Sequence, residues 1–416
     1  MKHTFRHAIL SALKRSLTVL GLVLLFSIAT ACSVEISQTQ LIPTRTTAPD
    51  TATLAPSLTL TATPTVSPTL TPTATQPGDP TLTPTLVPSP TAAFSYSMVT
   101  ADKFTLQVIP GYPPSLEGHL LFLCTMEDGL QGLAALDLKQ GTVAPLFVTP
   151  SKAWLLSLSV ASDSSQILVS YAPPPQEGQP SYGYTDLYVL KPDGSIQPVL
   201  ERTVDIEAYF GSFFNPAGDY IYYSHFFADS TAPSGFRYHI NRVGYPAGTP
   251  EVVVENAFWE RLSPDGSKLA FVTFDNRAFD ELFVSDPDGK NPVRALDPAQ
   301  FPSVDAPFFS PDNQYLYFSA VSEPITPLTW WEKLMGVRIA LAHNVPSDFW
   351  RVSLLDGTVE QITNLKDMGM FGTFSPDGNQ IAFISGTGLY VMRPDGSGLM
   401  KLVDSSSLYG NVEWVR

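Results

Sequence analysis

Two cysteines and six histidines among 416 residues leave little material for a disulfide framework or a zinc site. Charge is sparse as well, at 15% of the chain, and acidic residues outnumber basic ones 39 to 24. The resulting net charge of −15 argues against a nucleic-acid partner and against adsorption to anionic lipid by charge alone. No Gly-x-Ser-x-Gly elbow occurs, so a hydrolase of that design has no nucleophile here. Outside the leader, His119, His225, His239 and His343 are scattered at spacings that no metal motif uses. Each is expected to be a surface or satisfied core side chain. No catalytic residue, metal ligand or cofactor site is predicted, and the chain is expected not to be an enzyme.

A bilayer-spanning run of about 20 apolar residues is also lacking. The run from Leu17 to Ile28 is shorter, follows the basic Lys2, Arg6, Lys14 and Arg15, and ends at Ala29-Thr30-Ala31. That arrangement predicts a secretory signal over 1–31. Cys32 comes next, which resembles the lipobox of bacterial lipoproteins, although Ala29 stands where Leu is usual. The resemblance implies lipidation of Cys32 and anchoring on the extracytoplasmic side of a membrane. Cleavage by ordinary signal peptidase would instead release a secreted protein. Removing the leader deletes four positive charges and no negative ones, taking the net charge from −15 to −19. The other cysteine, Cys124, lies in the apolar run Leu121–Cys124 and reads as a small buried hydrophobe. Residues 32–93 are dominated by Thr, Pro, Ala and Ser, a composition that cannot form a core and predicts a disordered spacer.

The remaining 94–416 carry a recurring unit. Ser263-Pro264-Asp265-Gly266 precedes Leu269–Val272, and Ser375-Pro376-Asp377-Gly378 precedes Ile381–Ile384. Weaker copies are Ser310-Pro311-Asp312-Asn313, Asn215-Pro216-Ala217-Gly218 and the degenerate Ser162-Asp163-Ser164. Marker positions 162, 216, 264, 311 and 376 step by 54, 48, 47 and 65 residues, the spacing of a repeat architecture. Downstream of each strand a second turn follows, such as Asp193-Gly194, Asp288-Gly289, Asp356-Gly357 or Asp395-Gly396. Asp-Gly between apolar runs marks a hairpin, because Gly accepts positive φ and Asp bonds its own backbone. Each unit therefore reads as four antiparallel strands. Five units are complete. A sixth starts without its first strand at Leu120, and Asn411–Val415 supplies a first strand without followers. Together they predict an all-β, six-bladed propeller closed by the C-terminal strand. Asp265, Asp312 and Asp377 fall in separate blades and are expected to bond their own turns. Asp286-Pro287-Asp288-Gly289 lacks the ligand alternation of a calcium loop.

The run Phe374-Ser-Pro-Asp-Gly to Leu389-Tyr-Val-Met-x-Pro-Asp-Gly396 resembles the TolB-type, WD-like propeller repeat, and the resemblance extends over 118–416. TolB is a periplasmic interaction subunit with an extra N-terminal domain, in whose place this chain has the Thr/Pro spacer. Residues 94–117 match no repeat.

Long connections between second and third strands are expected at Ala172–Thr185, Phe226–Phe236 and Val321–Asp348, all on one face. In the last, Thr329-Trp330-Trp331-Glu332 reads as a capping box, with Trp330, Leu334, Val337 and Leu341 on one face of a helix. That face can pack on the propeller, dip into a membrane, or grip a protein with Trp330, Trp331 and Arg338 as anchors. The expected role is a monomeric, tethered, non-catalytic module that binds an envelope or extracellular protein. The alternatives are a glycan or small-ligand module using the axial pocket and, third, an enzyme built on propeller loops.

Overall fold

A computed structural model describes residues 94–416 except 112–114, 177–183, 205, 233, 274–280, 299, 302 and 322–344. Strands β1 (His119–Thr125), β2 (Gln131–Asp137) and β3 (Thr142–Val148) open the ring. The next sheet holds β4 (Trp154–Val160), β5 (Ile167–Ala172), β6 (Asp186–Leu190) and β7 (Ile196–Leu200). Then come β8 (Glu207–Phe214), β9 (Tyr220–Ala228), β10 (Phe236–Gly244) and β11 (Glu251–Glu255). They are followed by β12 (Ala257–Leu262), β13 (Leu269–Thr273), β14 (Glu281–Ser285) and β15 (Val293–Arg294). The fifth sheet is β16 (Val304–Phe309), β17 (Tyr315–Val321), β18 (Ser347–Ser353) and β19 (Val359–Gln361). The sixth is β20 (Phe371–Phe374), β21 (Ile381–Ser385), β22 (Gly388–Met392) and β23 (Met400–Asp404). Finally β24 (Leu408–Val415) pairs antiparallel with β1, His119 opposite Val415, and completes the first sheet in the order β24-β1-β2-β3. The six-bladed propeller and its closing strand are as the sequence predicts.

The apolar runs of the middle strands are continuous, not alternating, because each blade is covered on both faces. Six hydrophobic clusters result, one between each pair of neighbouring blades. Leu120 and Phe122 face the last blade with Val391 and Leu402, while Leu121 and Leu123 face the second with Leu155 and Val169. Burial thus sits between blades, and the ring's axis is left to the innermost strands. Cys124 belongs to the first cluster, 1% exposed and free, with its thiol pushed up to about 12 by burial. Cys32 and the rest of 1–93 lie outside the described residues.

Each Ser-Pro-Asp-Gly turn closes on itself. Ser310 Oγ donates to Asp312 Oδ1 at 2.6 Å and Ser375 Oγ to Asp377 Oδ1 at 2.5 Å, and backbone N–H groups two residues on donate to the same oxygens. Hydroxyl bonds from Ser310 and Ser375 hold both carboxyls below their ordinary range. The aspartates bond their own turns, as expected.

Two details differ from the sequence reading. The connection at Phe226–Phe236 is shorter than expected, since β9 and β10 stay paired to Ala228 opposite Phe236, leaving only Asp229–Gly235 between them. Residues 94–117, which match no repeat, are tied along the ring. Ser97 N–H bonds Pro192 O, Val99 N–H bonds Pro145 O, and Ile109 N–H bonds Leu402 O. Phe94 and Tyr96 pack on the cluster between the first two blades, and Phe104, Leu106 and Val108 on the one between the first and last.

Candidate functional site

The innermost strands run from the long-connection face toward the Ser-Pro-Asp-Gly face, and at mid-length most of them bulge. Pairing shifts register between Phe258 and Arg261, between Asp305 and Phe308, and between Phe210 and Phe213. It shifts likewise between Leu155 and Ser157, and in β24 beside Phe122 and Leu123. In four strands the bulge places one residue at positive φ: Gly211 (62°), Trp259 (55°), Ala306 (46°) and Gly410 (68°). A bulge turns the chain's side chains and amides out of the sheet plane, here toward the axis. All six strands thereby wall one cavity of about 350 Å³, at the lower end of the range of small-molecule sites. Its walls include Phe210, Trp259, Phe371 and Tyr409, one ring from each of four blades.

Its polar groups are few and mostly engaged. Ser157 Oγ donates to Ser170 Oγ at 2.7 Å and accepts from Gly211 N–H at 3.0 Å. Asn411 Oδ1 accepts from Leu158 N–H at 3.0 Å, and its amide donates to Leu158 O. Arg261 reaches across the axis to Glu413, 3.6 Å away, on the Ser-Pro-Asp-Gly side of the bulges. Glu260 is different. The residue is 3% exposed, and Oε2 accepts from Ser224 Oγ at 2.6 Å while Oε1 has no partner among the described residues. Burial raises its carboxyl to about 7, because desolvation disfavours the charged form. Burial raises Glu413 as well.

No protein-family model and no curated protein sequence matches the chain. Among solved structures, TolB from Acinetobacter baumannii superposes with a TM-score of 0.50 at 15% identity, covering 73% of this chain and 67% of that one. The chain folds as a TolB-type six-bladed propeller. A TolB candidate from Agrobacterium tumefaciens gives 0.48 at 16% identity, over 75% of this chain and all of that one. An oligogalacturonate lyase in complex with manganese gives 0.44 at 13%, over 74% and 84%.

Within this TolB-type ring, Trp330, Trp331, Arg338 and the predicted helix around them lie outside the described residues, as does His343. His225 and His239 are 14 residues apart in sequence yet stand opposite each other on β9 and β10. His225 Nε2 bonds Glu207 Oε1 at 2.7 Å and Nδ1 bonds Asn241 at 3.3 Å. Burial lowers its basicity despite the Glu207 charge. It is a satisfied, half-buried histidine, as expected. Sequence reasoning named an axial pocket as an alternative site but none of its lining, and it missed Glu260. The available signal was a charged Glu between Trp259 and Arg261 in a strand that otherwise reads as core.

Proposed function

We propose that this chain is an exported, non-catalytic interaction propeller, tethered through Cys32, that holds an envelope or extracellular protein on its long-connection face. The observation that carries this reading is where large apolar side chains stay in water. Ten large apolar side chains are exposed among the described residues, and four of them lie on that face: Trp154 at the start of β4 and Val204, Ile206 and Met368 on connections leading into innermost strands, at 47%, 57%, 49% and 46% exposure. Val204, Ile206, Phe227 and Ala228 line a recess of about 430 Å³ there, beside the Glu207–His225 pair. Exposed apolar groups gathered on one face of a rigid scaffold mark docking surfaces. The leader and the Thr/Pro spacer support export and reach. Affinity capture from envelope extract tests the face, with the full chain and its Val204→Asp/Ile206→Asp variant as baits. A protein retained by the parent and lost by the folded variant is the expected result. Equal capture by both baits would remove the docking site from this face.

A second reading, a small-ligand module, is favoured by the unpartnered carboxylate oxygen of Glu260 beside the axial cavity. Its glycan version is weaker, because Ser157 and Asn411 already spend their polar groups on the blades.

A further inference from the structure

The axial cavity is built for a ligand class that follows from three independent features. The first is the unpartnered Oε1 of Glu260, on a residue 97% removed from solvent. A Cβ placed on Gly211, itself part of the cavity wall, would stand 3.8 Å from this oxygen. The carboxylate therefore borders the cavity wall beside Gly211, where a methyl group would meet it in ordinary van der Waals contact. The second feature is the wall: Phe210, Trp259, Phe371 and Tyr409 present four rings from four blades, and aromatic faces attract cations through their quadrupoles. The third is charge. Arg261 is matched by Glu413 at 3.6 Å, so an ionised Glu260 leaves the site with one uncompensated negative charge.

A divalent metal fits poorly. One free carboxylate oxygen among aromatic walls is far short of the six or more oxygens that calcium takes, and the described residues hold no cluster of three or more His, Cys, Asp or Glu side chains placed for a metal. A polyhydroxylated ligand finds few free partners. An anion would face Glu260 at close range.

We propose that the axial cavity binds a small organic ammonium ion, its charge seated on Glu260 and its alkyl groups against Phe210, Trp259, Phe371 and Tyr409. This rests on reading the axial cavity as a ligand site, and it adds the chemical class. Cation–aromatic recognition of this kind strengthens when the site is desolvated, as the bulged ring makes it. The Ser224 hydroxyl fixes one carboxylate oxygen at 2.6 Å, so the other is held for the ligand without further ordering.

The test is calorimetric titration of the full chain with choline, tetramethylammonium and butylammonium. It is set against the uncharged analogue of choline in which a tert-butyl group replaces the trimethylammonium. Saturable binding of at least one ammonium, at least about tenfold tighter than the matched uncharged compound, is the expected result. Glu260→Gln, checked for folding by circular dichroism, should lose about tenfold or more for the ammonium and leave the uncharged analogue unchanged. Equal binding of charged and uncharged analogues would overturn the ammonium assignment while leaving a ligand site. Absence of saturable binding by any of them to the folded chain would overturn both. Should Glu260→Gln fail to fold, the charged-against-uncharged comparison on the parent protein still decides.

Discussion

The side chain of Asn411 in β24 holds both the N–H and the C=O of Leu158 in β4, two residues 253 positions apart in sequence. Leu158 stands opposite Val169 of β5, and β4 is the edge strand of its sheet, so these two groups on its unpaired inner edge are left to Asn411. The contact joins the closing strand to the neighbouring blade as well as to its own sheet.

Asn411→Ala should therefore destabilise by about 2–4 kcal/mol, since it removes two buried hydrogen bonds and leaves both backbone groups unpaired. Urea unfolding of the parent and the variant gives the difference. A loss below about 1 kcal/mol would mean that the β24–β1 ladder alone closes the ring.

Closure has a second requirement. A Cβ on Gly118 would stand 2.2 Å from Val415 O, and Gly118 sits at φ 89°. Gly129, at φ 81° with nothing within 4 Å of the same atom, isolates the backbone effect. Gly129→Ala should cost about 1–2 kcal/mol, the ordinary penalty of a side chain in the left-handed region. Gly118→Ala should cost clearly more, with faster amide exchange in β24 than in β21. Equal costs would show that the seam at Val415 relaxes freely.

Two kinds of titration pull stability in opposite directions. Burial lowers His119, His225 and His239 below 6.5, so between that value and their folded positions the unfolded chain binds more protons. Stability should fall as pH drops below about 6.5. Glu260 runs the other way, raised from 4.5 to about 7. Its contribution is fully present below 4.5 and is lost as pH rises through 7. Glu260→Gln should match the parent near pH 4.5 and exceed it at pH 8 by up to about 3 kcal/mol. Thermal melts of both proteins across this range check it; parallel curves would mean that Glu260 keeps an ordinary carboxyl.

The parts of this fold that were legible are those set by local chemistry. The Ser-Pro-Asp-Gly turns announce themselves because Ser310, Asp312, Ser375 and Asp377 satisfy one another within a few residues. The split sixth blade was legible because Asn411–Val415 lacks followers and Leu120–Leu123 lacks a leader. The site is a different matter. The bulges that open the cavity place Trp259 and Ala306 at positive φ, where neither residue type would be expected from its own propensity. Glu260 reaches the cavity wall beside Gly211, with Ser224 as its partner, only because β12 lies next to the blade of β8 and β9 in the closed ring. The pairing of His225 with Glu207 likewise depends on β8 and β9 lying side by side. Such features belong to the closed ring and not to any single repeat.

Trp259 offers the sharpest test of whether the cavity is held open by backbone geometry. Equivalent bulge positions carry Gly211 and Gly410, while Trp259 adopts φ 55° with a ring packed against Phe258 and Phe371. Replacing it by Ala or by Gly removes the same ring contacts, so the two variants differ only in their backbone preference. In an ordinary strand Ala would be the more stable by about 0.5–1 kcal/mol. In the left-handed region a Cβ costs about 1–2 kcal/mol, which outweighs that advantage. Trp259→Gly should thus be more stable than Trp259→Ala by up to about 1 kcal/mol, measured by urea unfolding. The opposite order would mean that the bulge relaxes once the indole is gone, and that the ring, not the strand, sets the cavity's width.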